Sequence, residues 1–263
     1  MSQNELHRIL DLATQAALDS GKLLAEKQQS DFRISKKGPV NLVTEMDILA
    51  EQIIVDRIRD SFPDHQILAE ERGGETGSAP VKWVIDPLDG TTNYAHGYRF
   101  FCVSIGIEVE GEIVVGVVYD PVCQELFSAV RGEGSTLNGE PVFVSGETRL
   151  ADSLLCTGFS YGEAEIEENL KLFNHMMRTS RSVRRDGSAA LDLCYVACGR
   201  FEGFWELSLN PWDVAAGTLI VQEAGGRVTR FDGSACTIYD RECLATNGRI
   251  HQVIGEELHR ADS

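Results

Sequence analysis

Hydrophobic positions over residues 5–28 fall at Leu6, Ile9, Leu10, Ala13, Ala17, Leu18, Leu23 and Leu24, the spacing of an amphipathic helix. A polar segment follows and reads as a strand or loop around Gly38 and Pro39. Thr44 opens a second helix, with Asp47 in a capping-box position. Ile48, Ile53, Ile54 and Ile58 make its apolar face, and Phe62 and Pro63 end it. Short strands are predicted at 66–69 and 82–86, each running into acidic residues. Apolar blocks from 101 to 130, broken at Gly111 and at Asp120 and Pro121, have the pattern of an antiparallel meander. Asn138 and Gly139 mark the turn of a further hairpin.

Beyond residue 150 the pattern alternates. Strands are predicted at 152–158, 181–186 and 201–207, and helices at 163–179 and 187–199. Asn210 and Pro211 open a last helix, as N-cap and first helical residue, and Gly225 and Gly226 stop it. This order predicts sheets layered between helix pairs. It divides one α+β domain, 1–263, into an α+β half over 1–150 and an α/β half over 151–263.

Composition sharpens the class. With 263 residues, 43% hydrophobic and 25% charged, the chain can bury a full globular core. Nothing approaches the roughly 18 apolar residues of a membrane span, and the N-terminal stretch lacks the form of a secretory signal. The seven cysteines are scattered without a CxxC pair, and Cys194 and Cys198 fall in an apolar helical pattern, so they read as packing. The expected compartment is reducing and cytoplasmic. The net charge of −17 opposes nucleic-acid binding, which needs a basic face. An anionic substrate would require bound cations to reverse the local field.

The acids that follow strands are the candidate chemistry: Glu70 and Glu71 after 66–69, Asp86 and Asp89 around Pro87, and Asp213 in the first turn of a helix. Each alone has an ordinary explanation as a turn residue, a helix-dipole partner or a solvated pair. Gathered in one pocket they would repel without cations, and hard oxygens are the ligands Mg²⁺ takes. Pro87 fixes the backbone so that Asp86 and Asp89 converge and the Leu88 carbonyl turns inward. Gly90, Thr91 and Thr92 then offer backbone N–H groups to a phosphate.

Residues 86–97, DPLDGTTNYAHG, and 211–217, PWDVAAG, resemble the two signature motifs of the inositol monophosphatase family. AEE at 69–71, PVNLVTEMD at 39–47 and GSAALDLCYVACGR at 187–200 match its pattern in the same order, over nearly the whole chain. The resemblance implies a five-layered αβαβα sandwich, commonly a homodimer, with Mg²⁺-dependent and lithium-sensitive phosphomonoesterase activity. It implies that Glu70, Asp86, Asp89 and Asp213, with the Leu88 carbonyl, hold two or three Mg²⁺ ions, Asp86 bridging two. Thr91 and Asp47 would orient and deprotonate the attacking water. Backbone groups of Gly90, Thr91 and Thr92 would hold the phosphate. Gly187, Ser188, Ala189 and Glu206 would face the alcohol.

Other residues stay open. Lys36 and Lys37 are candidates for a lid over the phosphate, or a solvated pair on a loop. His96 reads as a hydrogen-bonded structural histidine ahead of a general acid or base. Trp83 and Trp212 read as core residues that exclude water. GEGSTL lacks the last glycine of GxGxxG, and neither a P-loop nor HExxH occurs. The expected activity is hydrolysis of a small polyol phosphate, myo-inositol monophosphate first. The alternatives are the same chemistry on 3′-phosphoadenosine 5′-phosphate, fructose 1,6-bisphosphate or histidinol phosphate, or a regulatory module that binds RNA or a transcription partner.

Overall fold

Helix pairs enclose two sheets in a computed structural model that describes residues 1–28, 33–36, 42–75, 77–160 and 162–262. In chain order the elements are α1 (Gln3–Lys27), β1 (Ile34–Lys36), β2 (Leu42–Thr44), α2 (Glu45–Ser61), β3 (Gln66–Ala69), β4 (Gly73–Glu75), β5 (Val81–Asp89) and α3 (Thr91–Ala95). The meander follows as β6 (Cys102–Val109), β7 (Glu112–Asp120), β8 (Glu125–Val130), β9 (Gly134–Leu137) and β10 (Glu140–Val142). Next come β11 (Leu154–Thr157), α4 (Glu163–Thr179), β12 (Ser182–Arg184), α5 (Ala189–Ala197) and β13 (Gly203–Leu207). The chain ends with α6 (Pro211–Glu223), β14 (Arg227–Thr229), β15 (Glu242–Thr246) and α7 (His251–Asp262).

Among the described residues, β1 and β2 pair as a separate two-stranded sheet, and of the two layered sheets the larger has the order β10-β9-β8-β7-β6-β5-β3-β4 and the smaller β12-β11-β13-β15-β14. Pairing in the larger sheet is antiparallel except between β3 and β5. In the smaller sheet β11 lies parallel to both β12 and β13. The layers are α1 with α2, the larger sheet, α5 with α6, the smaller sheet, and α4 with α7. This is the αβαβα sandwich that the motif order implies. Among the described residues no helix is long and apolar enough to cross a membrane.

Each layer follows from its burial pattern. In α1, Ile9, Ala13, Ala17 and Leu24 face the larger sheet, and Ser2 caps the first turn by accepting from the Glu5 N–H. In α2 the buried face is Met46, Ala50, Ile54, Val55 and Ile58; the expectation for Ile48 is corrected, because it turns outward, 56% exposed. Met46 and Ala50, small or flexible enough to sit under the sheet, take its place. The central helix α6 is buried from Val214 through Val221, as a helix covered on both sides must be.

The fit of α6 on the larger sheet depends on two glycines. Gly106 and Gly116 are cross-strand partners in β6 and β7. A Cβ on Gly106 would lie 2.6 Å from Ala215 Cβ, and one on Gly116 2.7 Å from the Ala216 carbonyl oxygen. The missing side chains therefore let the α6 backbone rest directly on the strands. At the β9–β10 hairpin, Asn138 and Gly139 both have positive φ, 52° and 83°, as the predicted two-residue turn requires. The sequence pattern did not mark β14, β15 or α7. They complete the outer core through Leu244, Ile250, Ile254 and Leu258.

Candidate active site

Residues three apart on a regular strand face opposite sides. Asp86 pairs with Ser104 and Asp89 with Cys102, so three steps along β5 match two along β6. The extra residue is a bulge that returns Asp89 to the side of Asp86. Pro87 has no N–H to withdraw from the ladder there, and the Leu88 N–H turns back to Asp86 Oδ1 at 3.0 Å. The strand thus continues past the predicted stop at 86 and ends at Asp89. Gly90 then adopts φ +99°, where a Cβ would also meet the Phe100 carbonyl at 3.0 Å. Only glycine makes this turn into α3 without strain.

Two further aspartates occupy the third position of a helix and close capping boxes. Asp47 Oδ2 accepts from the Thr44 N–H at 2.8 Å and the Thr44 hydroxyl at 2.6 Å. Its Oδ1 reaches across the fold to the Thr91 hydroxyl at 2.9 Å. That hydroxyl also lies 3.1 Å from the Leu88 carbonyl oxygen. Asp213 Oδ2 accepts from the Asn210 N–H at 2.7 Å, and Pro211 starts the helix. Capping therefore explains why these residues sit where they do without consuming both oxygens of Asp213.

The loop before α5 is tied to the same place. Asp89 Oδ2 accepts from the Ser188 hydroxyl at 2.7 Å and from the Ala190 N–H at 2.8 Å. Asn93 donates to the Phe100 and Asp186 carbonyls, each at 2.8 Å, which holds α3 against Gly187. From β13, Glu206 lays its carboxylate over Gly158, so closely that a Cβ at Gly158 would overlap it.

These parts line one cleft of about 370 Å³. Glu70, Asp86, Leu88, Asp89 and Asp213 form its acidic wall, with Gly90, Thr91 and Thr92 beside them. Gly187, Ser188, Ala189 and Glu206 line the same cleft. Asp47 stands behind Thr91. The acids are electrostatically frustrated. Burial holds Asp86 well above the usual carboxylate range, and the charges of Glu70, Asp89 and Asp213 add to it. Burial pushes Asp89 up to about 6 against its bonds from Ser188 and Ala190. It pushes Asp213 up to about 8, with Asp89 and Glu70 contributing. Glu206 is raised by burial and then by Asp213 and Asp89.

This donor set fits a hard divalent cation. The hydrogen bonds that fix Asp86, Asp89 and Asp213 fall on one oxygen of each. Among the described residues, no three acids or other ligating side chains close a metal shell by themselves. Mg²⁺ takes one or two carboxylates at a time and completes its shell with water and phosphate oxygens, so an open cleft of spaced acids suits it.

Some expectations change. Glu71 lies outside the cleft, its N–H bound to Glu51. The Lys36 side chain and all of Lys37 lie outside the described residues. His96 is the exposed C-cap of α3 and makes no side-chain hydrogen bond among the described residues, so it is not the hydrogen-bonded structural histidine expected. Trp83 is fully buried and donates to His65, as expected of a core residue, but Trp212 lines the cleft. The pattern also missed Asn93, Phe159, Arg185 and Arg241, which line the cleft too. Only Asn93 carried a signal, as the residue next to Thr92 in the first motif. Asp192, buried on α5, has no hydrogen-bond partner for either oxygen among the described residues, and burial holds it well above the usual carboxylate range.

Comparison with known proteins fits this geometry. The inositol-1-monophosphatase of Synechocystis sp. is 46% identical over 261 residues, 98% of this chain and 91% of that protein. The Nus factor SuhB of Pasteurella multocida is 41% identical, covering 93% of both. The solved inositol monophosphatase of Anabaena (Nostoc) sp. superposes with a TM-score of 0.89 at 43% identity over 97% of each chain. The class is therefore a phosphatase built as a layered α+β sandwich. Residues 5–263 match the inositol monophosphatase family, and the chain belongs to it; the family is generally Mg²⁺-dependent.

Proposed function

We propose that the chain is a Mg²⁺-dependent phosphomonoesterase of a small polyol phosphate, with myo-inositol monophosphate as first candidate. The observation that carries this reading is the convergence of Glu70, Asp86, Asp89 and Asp213 on one cleft, beside a Thr91 hydroxyl held by Asp47. Glu70, Asp86, Asp89, Asp213 and the Leu88 carbonyl would hold the Mg²⁺ ions. Bound there, Mg²⁺ acidifies water and neutralises charge on the phosphate and the leaving oxygen.

The chain's own residues do the rest. Thr91 donates its proton to Asp47 Oδ1, which leaves its oxygen lone pairs to accept from a water in the cleft. That water is oriented, and Asp47 receives its proton through Thr91. Thr44 keeps the Asp47 carboxylate in place throughout. The first N–H groups of a helix lack intrahelical partners, so the turn at Gly90, Thr91 and Thr92 holds the phosphate. Gly187, Ser188 and Ala189 bound the alcohol, and Glu206 accepts from its hydroxyls. Two rings, Phe159 and Trp212, line the cleft, but Phe159 packs edge-on to Phe173 at 5.9 Å. The preference for a polyol over a nucleotide therefore rests on Glu206.

Asp89→Asn tests the reading. It should lose nearly all phosphate release while circular dichroism stays unchanged; a folded variant with near wild-type turnover overturns the ligand assignment. A release screen over inositol phosphates, 3′-phosphoadenosine 5′-phosphate, fructose 1,6-bisphosphate and histidinol phosphate identifies the alcohol. Inhibition by Li⁺, a homodimer and a cytoplasmic location follow from the family and complete the proposal. A second reading, regulation of transcription, is favoured by the likeness to the Nus factor SuhB. The net charge of −17 opposes direct contact with RNA. RNA binding that survives Asp89→Asn would support that role.

A further inference from the structure

The segment between β14 and β15 brings two thiols together outside the catalytic cleft. A tight turn forms where the Thr237 N–H and hydroxyl both donate to Asp240 Oδ2 at 2.8 Å, and the Asp240 N–H donates to the Thr237 carbonyl at 3.2 Å. Tyr239 anchors that turn to the larger sheet, donating to Glu108 at 2.6 Å and accepting from Lys82 at 2.9 Å. The chain before it is thereby laid along the start of β15. Cys236 Sγ comes within 3.5 Å of the Glu242 carbonyl oxygen, which places it beside the next residue, Cys243. All seven cysteines are free thiols, so the two neighbours are both reduced.

We propose that Cys236 and Cys243 are a reversible oxidation site that closes into an intramolecular disulfide when a small-molecule disulfide is present. Cys236 is partly exposed and Cys243 buried, which assigns their roles. The neighbouring Cys243 draws the Cys236 thiol below its usual range against the effect of burial, while Cys243 is raised. Cys236, the better thiolate, attacks one sulphur of oxidised glutathione, for example, and expels the other half as a thiolate. Cys243 gives its proton to that thiolate or to water and attacks the Cys236 sulphur. The second glutathione leaves as a thiolate. Two protein thiols are oxidised, and one small disulfide is reduced to two thiols.

The site bears on the cleft through its surroundings. Arg241, between the two cysteines, lines the cleft, and Cys243 is the register partner of Glu206 across β13 and β15. A covalent link would restrain both positions.

The test uses the full chain. It is incubated with oxidised glutathione, alkylated in denaturant and digested with trypsin. Cleavage after Arg230, Arg241 and Arg249 puts Cys236 on peptide 231–241 and Cys243 on peptide 242–249. The expected product is these two peptides joined, separable by dithiothreitol. Cys236→Ser abolishes the joined product, and Cys243→Ser leaves glutathione trapped on Cys236. Cys123, exposed and solitary, reports that the oxidant has acted. The proposal is overturned if Cys123 is glutathionylated while 236 and 243 are both alkylated. Glutathione resting on Cys236 in the wild-type chain overturns it equally.

Discussion

Gly158→Ala separates binding of the alcohol from the rest of the chemistry. Gly158 has ordinary backbone geometry, so the substitution costs little at the site itself. The new Cβ would instead overlap the carboxyl carbon and both oxygens of Glu206. That carboxylate ends a flexible side chain on β13 and must retreat by more than an ångström to restore van der Waals contact. The fold has no reason to fail, because the backbone need not move. A retreat of that size breaks a hydrogen bond from a substrate hydroxyl to Glu206.

A hydrogen bond is worth about 0.5–1.5 kcal/mol, and about 1.5–3 kcal/mol where the acceptor is ionised. At 1.4 kcal/mol per factor of ten, KM should rise about 2- to 100-fold. The hydroxyl is remote from the reacting bond, so the contact is equally strong in ground and transition states. Its loss should therefore leave kcat nearly unchanged. Inhibition by inorganic phosphate should also stay constant, because the phosphate rests on the turn at Gly90. Steady-state phosphate release and phosphate inhibition measure all three quantities, with Glu206→Gln as the comparison. A folded Gly158→Ala enzyme with wild-type KM would refute the placement of Glu206 on the alcohol. A parallel fall in kcat would show that Glu206 acts on the reaction itself.

Other consequences can be checked directly. Asp89 and Asp213, at about 6 and about 8, bind protons in the folded state that the unfolded chain has released. Without a cation, folded stability therefore falls as pH rises from the unfolded carboxylate value towards 8, and Mg²⁺ should raise the melting temperature more at about pH 8 than at about pH 5; an equal shift at both would count against these ligands. Gly106→Ala places a methyl 2.6 Å from Ala215 Cβ and 3.1 Å from the α6 backbone, so the denaturation midpoint should fall by an equivalent of about 1–3 kcal/mol, with activity lost as Asp213 moves; an unchanged midpoint refutes the close packing. His251, buried between Thr229 and Thr246, is lowered to about 4 by burial, so its neutral form stabilises the fold above its unfolded value near 6.5. That contribution is lost as pH falls from about 6.5 to 4 and amounts to about 3 kcal/mol; chemical denaturation of His251→Gln should show a shallower pH slope there, and an identical slope would exclude His251 as the cause.

The acids were legible because their positions obey local rules. Pro87 between two aspartates, and threonine or asparagine three residues before Asp47 and Asp213, are signals written within a few residues. The bulge that makes Asp86 and Asp89 converge was not legible, because it exists only in the pairing of β5 with β6. The glycine pair under α6 was hidden for the same reason: Gly106 and Gly116 acquire meaning only beside Ala215 and Ala216. Gly158 gives no local sign of the carboxylate it accommodates. The helix α7 escaped notice because few apolar residues, chiefly Ile254 and Leu258, mark its inner face. The exposure of Ile48 shows the converse, an apolar residue that periodicity places inside and packing leaves out.

On the proposed reading, the structural and catalytic roles of the site aspartates do not compete. The capping bonds of Asp47 fall on Oδ2, and Oδ1 is left for Thr91. In Asp213 the capping bonds again fall on Oδ2. Asp89 secures α5 through Oδ2, and Asp86 fixes the turn at Leu88 through Oδ1. In Asp86, Asp89 and Asp213 one oxygen builds the fold and the other is left to the cleft, while the second oxygen of Asp47 holds Thr91. Burial explains why the repulsion is present: the oxygens that hold the backbone must be buried, and that burial raises the carboxyl groups. The same division explains why asparagine is the informative substitution. An amide still offers one accepting oxygen to the backbone, but it withdraws the charge and presents N–H groups to a cation. Alanine removes both functions at once, so a dead alanine variant could not say which of the two the enzyme had lost.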